Sequence, residues 1–459
     1  MYDVAVIGAG VVGCALARRF ALEGARVVVL EKAPDVLDGA SKGNSGILHT
    51  GFDAPPGSLE QACVAAGRAE YLAIRGTMGL PLIETGALVL AWSEAEEARL
   101  PDLIAQARQN GVDDVEPLSE AGARALESAL GPGLKGGFRV PGEHVIDPWS
   151  APHAYLLQAL LNGAELRRSS PVTGASFDGE AWTLDTPQGP VGARLAIAAA
   201  GLHGDRVAEM LFGRPMLSIR PRKGQFAVFD KPAAALARHV LLPVPTATTK
   251  GIVVSRTAYG NLIVGPTAEE QESRTEAATD TATLRMLVAR GAEILPGLAG
   301  HQVVAAYAGL RPASEEKEYR IAFDRERRAV SVAGIRSTGL SAALGIAAHV
   351  AEACRSPDWV PVAAPPVPMM PTIAEGSGPR DWQQPGNEGI VCHCERVTRR
   401  EIEAVLAGPM PPATLAGLKR RTRVTMGRCQ GFYCLGHLAR ITEGRLAEPV
   451  AEPAAGAHG

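Results

Sequence analysis

Near its N-terminus the chain runs as a short apolar strand, Tyr2-Asp-Val-Ala-Val-Ile, straight into Gly8-Ala-Gly10-Val-Val-Gly13. The stretch from Cys14 to Glu23 then reads as a helix ended by Gly24, and a second apolar strand, Arg26-Val-Val-Val-Leu30, stops at Glu31. This order leaves the chain little freedom, because it is the βαβ start of a dinucleotide-binding sheet. Gly8 permits the tight turn, Gly10 lets the backbone approach a pyrophosphate, and Gly13 lets helix and strand pack closely. The helix N-terminus offers free N–H groups and the positive end of its dipole to the phosphates. Glu31, 21 residues after Gly10, is set to accept hydrogen bonds from a ribose diol. An N-terminal unit of this kind favours FAD as the tightly held cofactor.

Two later segments agree with that expectation. Val191-Gly-Ala-Arg-Leu-Ala-Ile-Ala-Ala-Ala-Gly201 reads as a strand ending at a glycine, a crossing that passes near the cofactor. Gly334-Ile-Arg-Ser337-Thr338-Gly339-Leu340 is a turn feeding a small-residue helix, which can aim its N-terminus at a flavin ring or a phosphate. Taken alone, that helix can also be read as an ordinary buried one.

The C-terminal region holds a C-x-C pair, Cys392 and Cys394, and a C-x4-C pair, Cys429 and Cys434. Four thiolates in one small segment make a metal site, and soft sulfur ligands suit zinc and iron–sulfur clusters alike. Each pair can grip one iron of a [2Fe–2S] cluster; the spacing alone fits a structural zinc knuckle as well. Lys419, Arg420, Arg421 and Arg423 run into the second pair, and cationic groups stabilise an anionic cluster.

At 459 residues the chain exceeds one compact core, so two or three domains are expected. A net charge of −3 argues against a general nucleic-acid surface. No apolar run reaches the roughly 20 residues of a membrane helix, and no basic segment precedes an apolar one as in a signal peptide. The protein is therefore expected to be soluble and cytoplasmic, with Cys14, Cys63 and Cys354 reduced.

The expected fold is α/β. A Rossmann-like FAD-binding sheet of the glutathione-reductase type is formed by residues 1–85, 145–215 and 320–355. A β-rich substrate domain of residues 86–144 and 216–319 is interleaved with it. Proline-rich residues 356–388 read as a semi-rigid linker to a small helical [2Fe–2S] domain at 389–440, with a mobile tail at 441–459.

The body resembles the D-amino-acid-oxidase-type FAD oxidoreductases, nearest the glycerol-3-phosphate dehydrogenase/oxidase branch and its 2-hydroxyglutarate-oxidising relatives. Three stretches carry the likeness: Gly8–Gly13 with Glu31, Gly43-Asn-Ser45-Gly-Ile-Leu-His49-Thr-Gly-Phe-Asp53, and Tyr307-Ala-Gly-Leu-Arg311-Pro. Arg420-Arg-Thr-Arg-Val-Thr-Met-Gly-Arg-Cys429-Gln-Gly-Phe-Tyr-Cys434 is similar to the bacterioferritin-associated-ferredoxin-like module that holds [2Fe–2S] in the anaerobic branch. That likeness favours the cluster over zinc. The loop Ala40–Ile47 is closer to the oxidase and hydroxyglutarate relatives, so body and tail point to different branches.

The resemblance places the 43–53 loop at the substrate face of the flavin, with His49 as the base that takes the hydroxyl proton. Arg311, in a rigid Leu-Arg-Pro setting, is the cation for a carboxylate or phosphate, and Lys250 corresponds to a second anion contact. Ser45, Gly201, Ser337, Thr338, Gly339 and Leu340 complete the expected cofactor contacts. His144, His153 and His203 lack comparable context.

A cluster beside a flavin implies a dehydrogenase rather than an oxidase. Electrons would pass to a second flavoprotein or other electron carrier, with membrane association at most peripheral and through that partner. The expected reaction is oxidation of sn-glycerol 3-phosphate. L-2-hydroxyglutarate oxidation, secondary-amine oxidation and a non-catalytic electron-transfer role stand as alternatives.

Overall fold

The computed structural model describes residues 1–245, 251–376 and 378–451. Its first sheet is built on the Tyr2–Ile7 strand, which runs parallel to Val27–Leu30 on one side and Val191–Ala198 on the other. Side chains alternate across this strand: Val4 and Val6 enter the core on one face, and Ala5 and Ile7 the core on the other. A strand buried on both faces reads as a continuous apolar run, which is why the N-terminal segment is legible in the sequence. Glu165–Arg167 adds a parallel edge beside Val27–Leu30. On the far side, Val191–Ala198 meets Trp182–Asp185 antiparallel along its first half and Ala329–Ala333 parallel along its second. The helices Val11–Leu22, Leu59–Met78, Ser150–Leu161 and Gly339–Ala353 share one apolar core on a single face.

Among the described residues the second sheet has nine strands and is antiparallel except where Val240–Pro243 runs parallel to Ala87–Ala91. Its longest pairing joins Ile219–Phe229 to Val303–Ser314, from Ile219 opposite Ser314 to Phe229 opposite Val303. A three-stranded sheet of Ile47–Leu48, His144–Ile146 and Leu82–Ile83 brings residues distant in sequence beside one another.

The proline-rich segment, read from the sequence as a semi-rigid linker, makes specific contacts with the body. Trp359 packs edge-on against Phe20 with centroids 5.6 Å apart, and Val362 and Met370 donate N–H bonds to the helix-end carbonyls of Leu22 and Met78. Ile373 and Ala374 are buried in the core of the second sheet. Prolines cannot donate, but the residues between them satisfy carbonyls that helix ends leave open, so the segment lies along the body as a strap.

The C-terminal unit folds from the hairpin Ile390–Cys392/Val397–Thr398 and the helices Arg399–Ala407, Leu415–Thr422 and Leu435–Ile441. Thr398 and Glu401 form a capping box on the first helix. Cys392 and Cys434 are buried with Val397, Ile402, Leu418 and Leu438 in its small core. Beyond the last helix, Ala447 donates to the Ala413 carbonyl at 2.8 Å, so the start of the tail is held.

Candidate functional site

The first βα turn leaves no room for side chains. A Cβ on Gly8, whose φ is +111°, would stand 2.5 Å from the Ala199 carbonyl oxygen, and one on Gly13 only 1.9 Å from that of Gly8. Gly10 caps the Val11–Leu22 helix without a side chain, and Val11 N–H donates to Ser41 Oγ at 3.0 Å. Glu31 is buried and receives the N–H groups of Ala9 and Ala33 at 2.7 and 2.8 Å, one on each oxygen. Burial raises its pKa despite those donors, and each oxygen keeps a lone pair for a ribose hydroxyl. A Cβ-free turn, a helix N-terminus and this carboxylate together fit the pyrophosphate and ribose of FAD. Gly201 continues the Ala199–Ala200 segment that presses on Gly8.

The loop that follows folds back across the body. Gly43 lies against Gly309, where a Cβ would come within 2.8 Å of the Gly309 Cα, and Tyr307 Oη donates to the Asn44 carbonyl at 2.8 Å. Ser45 is half-buried on this loop. His49 N–H donates to Ser341 Oγ at 2.8 Å, which ties the loop to the first turn of the Gly339–Ala353 helix. His49, Gly339 and the strand carrying Arg311 are thereby linked through one loop. Thr338 is buried and bonds Tyr319 Oη (2.6 Å) and Glu60 Oε1 (2.7 Å), whereas Ser337 is exposed and Leu340 packs partly into the core.

His49 has a partner that sequence reading missed. Its Nδ1 lies 2.8 Å from Glu143 Oε2, and the other Glu143 oxygen accepts from Thr50 N–H at 2.6 Å and Thr50 Oγ1 at 2.8 Å. Glu143 is fully buried. Burial works against its charge, yet the His49 and Thr50 donors outweigh it and hold the carboxyl below its ordinary value. A carboxylate on Nδ1 orients the ring and leaves Nε2 as the nitrogen available for proton transfer. The pairing spans 94 residues, and its only sequence sign is an acid beside His144 in Gly-Glu-His-Val-Ile.

Arg311 is half-buried on the Val303–Ser314 strand, and both Nη atoms donate to the Thr267 carbonyl at 3.2 Å. Among the described residues no carboxylate pairs with it. Burial and the like charge of Arg222 destabilise its cationic form and lower its pKa to about 10, so it remains a cation at neutral pH. A desolvated cation without a counter-ion is suited to receive an anion. Lys250 lies outside the described residues.

The cysteines of the C-terminal unit face one another between motifs, near enough that Cys394 and Cys429, and Cys392 and Cys434, influence each other's titration. The N–H groups of Tyr433, Gly431 and Phe432 point at the Cys429 sulfur and lower its pKa, whereas burial raises that of Cys434. Among the described residues, no three histidine, cysteine or acidic side chains close on one point as ligands of a single ion would. Two thiol pairs with converging N–H donors suit two irons, with the donor chemistry of [2Fe–2S].

This unit is clasped to the nucleotide side of the body. Buried Asp35, four residues after Glu31, accepts from Ala413 N–H, Thr414 N–H (2.8 Å) and Thr414 Oγ1 (2.7 Å) at the start of the Leu415–Thr422 helix. Arg420 reaches the Val36 carbonyl at 3.1 Å and Asp38 at 3.3 Å, while Arg421 Nε donates to buried His153 at 3.2 Å. Arg423 ends the helix in a left-handed conformation (φ 72°) that lays its guanidinium 3.7 Å from the centre of the Tyr259 ring. Its Nε also donates to buried Glu395, the neighbour of Cys394, at 2.9 Å. Tyr259 stacks on Trp149 (5.6 Å, 17°), and Trp149 Nε1 donates to the Lys42 carbonyl at 3.3 Å. An aromatic pair thus spans from the loop before His49 to the thiol unit.

A nucleotide-cradling sheet whose loops carry a histidine–carboxylate pair, with a four-thiol unit fastened beside them, defines a redox protein for a dinucleotide and a sulfur-bound metal centre. Residues 3–353 match the family described as FAD dependent oxidoreductase, and residues 390–443 match the BFD-like [2Fe-2S] binding domain. The chain belongs to the FAD dependent oxidoreductase family; its cofactors are FAD and a [2Fe–2S] cluster.

It is 29% identical to the glycerol 3-phosphate dehydrogenase of Caloramator mitchellensis, over 98% of this chain and 96% of that one. One component of the anaerobic glycerol-3-phosphate dehydrogenase of Escherichia coli is 25% identical over 96% of this chain and 88% of its own length. The solved FAD-bound L-alpha-glycerophosphate oxidase of Mycoplasma pneumoniae superposes with a TM-score of 0.73 at 25% identity, over 79% of this chain and 97% of that one. No helix among the described residues is long and apolar enough to cross a membrane.

Proposed function

We propose that this oxidoreductase is a dehydrogenase of sn-glycerol 3-phosphate that forms dihydroxyacetone phosphate, its electrons leaving by way of the flavin and the cluster to an acceptor protein. The His49–Glu143 pair carries the proposal. An imidazole whose Nδ1 is held by a buried carboxylate can take the C2 hydroxyl proton on Nε2, and Glu143 stabilises the resulting cation. Bound FAD supplies a two-electron acceptor for the C2 hydride, and the cluster a one-electron acceptor. Arg311, with no carboxylate partner among the described residues, offers the phosphate a planar pair of donors. The dehydrogenase relatives that match over nearly the whole chain support this substrate.

L-2-hydroxyglutarate is the second reading, because a guanidinium also suits a carboxylate and an L-2-hydroxyglutarate dehydrogenase is 30% identical over 58% of this chain. Turnover with a dye acceptor and identification of the product separate the two. Dihydroxyacetone phosphate formed from glycerol 3-phosphate, with kcat/KM at least tenfold above that for L-2-hydroxyglutarate, supports the proposal. The reverse preference replaces it.

A further inference from the structure

Of nine phenylalanines, seven tyrosines and five tryptophans, only Phe432 and Tyr433 are exposed, at 81% and 71%. They sit edge to face, centroids 5.1 Å apart, in the turn between Cys429 and Cys434. The backbone of that turn serves the Cys429 sulfur, and Leu438 and Val424 fill the core beneath, so neither ring is needed for packing. Leu435, 37% exposed, adds to the apolar surface. Two aromatic rings left in water beside a redox ligand mark a contact surface.

The four thiols are unequally covered. Cys392 and Cys434 are each 1% exposed, whereas Cys394 and Cys429 reach partly to the surface. The least covered edge of the cluster site is therefore the edge next to the two rings.

Charge indicates the kind of partner. From Ala404 to Thr442 the sequence has six lysines and arginines and no aspartate or glutamate. Arg420 and Arg421 bond the body, Arg423 lies over the Tyr259 ring, and Arg428 pairs with Asp230. Arg440, which donates to His437 Nδ1 at 3.2 Å on the helix leaving the turn, remains exposed, and Lys419 is partly exposed. A positive apolar face is complementary to an acidic one.

We infer that the Phe432–Tyr433 turn docks an acidic one-electron carrier protein and that electrons leave the cluster at the Cys429 edge. One electron moves from the reduced cluster to the oxidised centre of the carrier, and no bond or proton changes hands. The inference deepens the electron route proposed above and rests on it for the source of the electrons.

The test uses the full-length holoprotein, reduced with dithionite, freed of excess reductant and mixed anaerobically with cytochrome b5, an acidic haem protein, or cytochrome c, a basic one. Electron transfer to cytochrome b5 is expected to slow as salt rises, and transfer to cytochrome c is not. Phe432→Ala/Tyr433→Ala should lower both the cytochrome b5 rate and the equilibrium binding of the oxidised proteins about tenfold. Reduction of ferricyanide and the visible spectrum of the cluster should not change. Arg440→Glu, which leaves the rings in place, should weaken cytochrome b5 and favour cytochrome c. Cytochrome b5 binding and transfer indifferent to the double variant, or strengthened by salt, overturn the inference. Chemical reduction keeps the two claims apart: if substrate fails to reduce the cluster while these results hold, the surface stands and the substrate route falls.

Discussion

Glu143 is a buried carboxylate kept ionised by His49 and Thr50, and the proton transfer proposed for His49 rests on that charge. Replacing His49 with glutamine should lower kcat about 10²–10⁴-fold while FAD stays bound, as loss of a general base does. Glu143→Gln should cost less, about tenfold to hundredfold, because the imidazole remains but loses its orienting charge. An unchanged kcat in Glu143→Gln would reduce Glu143 to a packing role. Stability depends on the same carboxylate charge. A carboxyl held below its ordinary value of 4.5 contributes above that pH and loses its contribution as pH falls through its folded pKa. The glutamine variant should therefore show a flatter acid denaturation profile. At this scale the sequence displays His49 and Arg311 within recognisable stretches. Glu143 is hidden there because it reaches the loop only through pairing of the Ile47–Leu48 and His144–Ile146 strands.

The elements most legible in the sequence are those governed by local rules, namely the Tyr2–Ile7 strand with its glycine turn and the small-residue Gly339–Ala353 helix. The strap after Ser356 is not legible, since prolines signal irregular backbone without indicating which carbonyls the intervening N–H groups will find. The same limit applies to the clasp between Asp35 and the Leu415–Thr422 helix, whose two ends lie 379 residues apart. Asp35 acts there as an N-terminal cap supplied by another domain, and Gly417 leaves it room: a Cβ would fall 2.2 Å from its carboxylate. Asp35→Ala should destabilise the docked helix by about 1–2 kcal/mol. Amide exchange across Leu415–Thr422 should rise while the Tyr2–Ile7 sheet stays protected. Unchanged exchange in that helix would show that Arg420 and Arg421 suffice to hold it.

For the molecule as a whole, the α/β FAD fold and the appended [2Fe–2S] unit are readable from two motifs, whereas their mutual placement is not. That placement depends on Asp35, Arg420 and Arg423, each meeting a residue more than a hundred positions away. It sets Trp149 and Tyr259 between the loop of His49 and the neighbour of Cys394. Tyr259→Leu is expected to leave reduction of the flavin by substrate intact and to slow the later reduction of the cluster, as resolved by rapid mixing. In the proposed function one chain oxidises glycerol 3-phosphate and loads the electrons onto its own cluster. The decisive experiment is anaerobic rapid mixing of the holoprotein with sn-glycerol 3-phosphate, followed in the visible. Loss of flavin absorbance followed by the spectral change of cluster reduction is the expected result. A flavin that bleaches while the cluster stays oxidised, or that bleaches only with L-2-hydroxyglutarate, would contradict it.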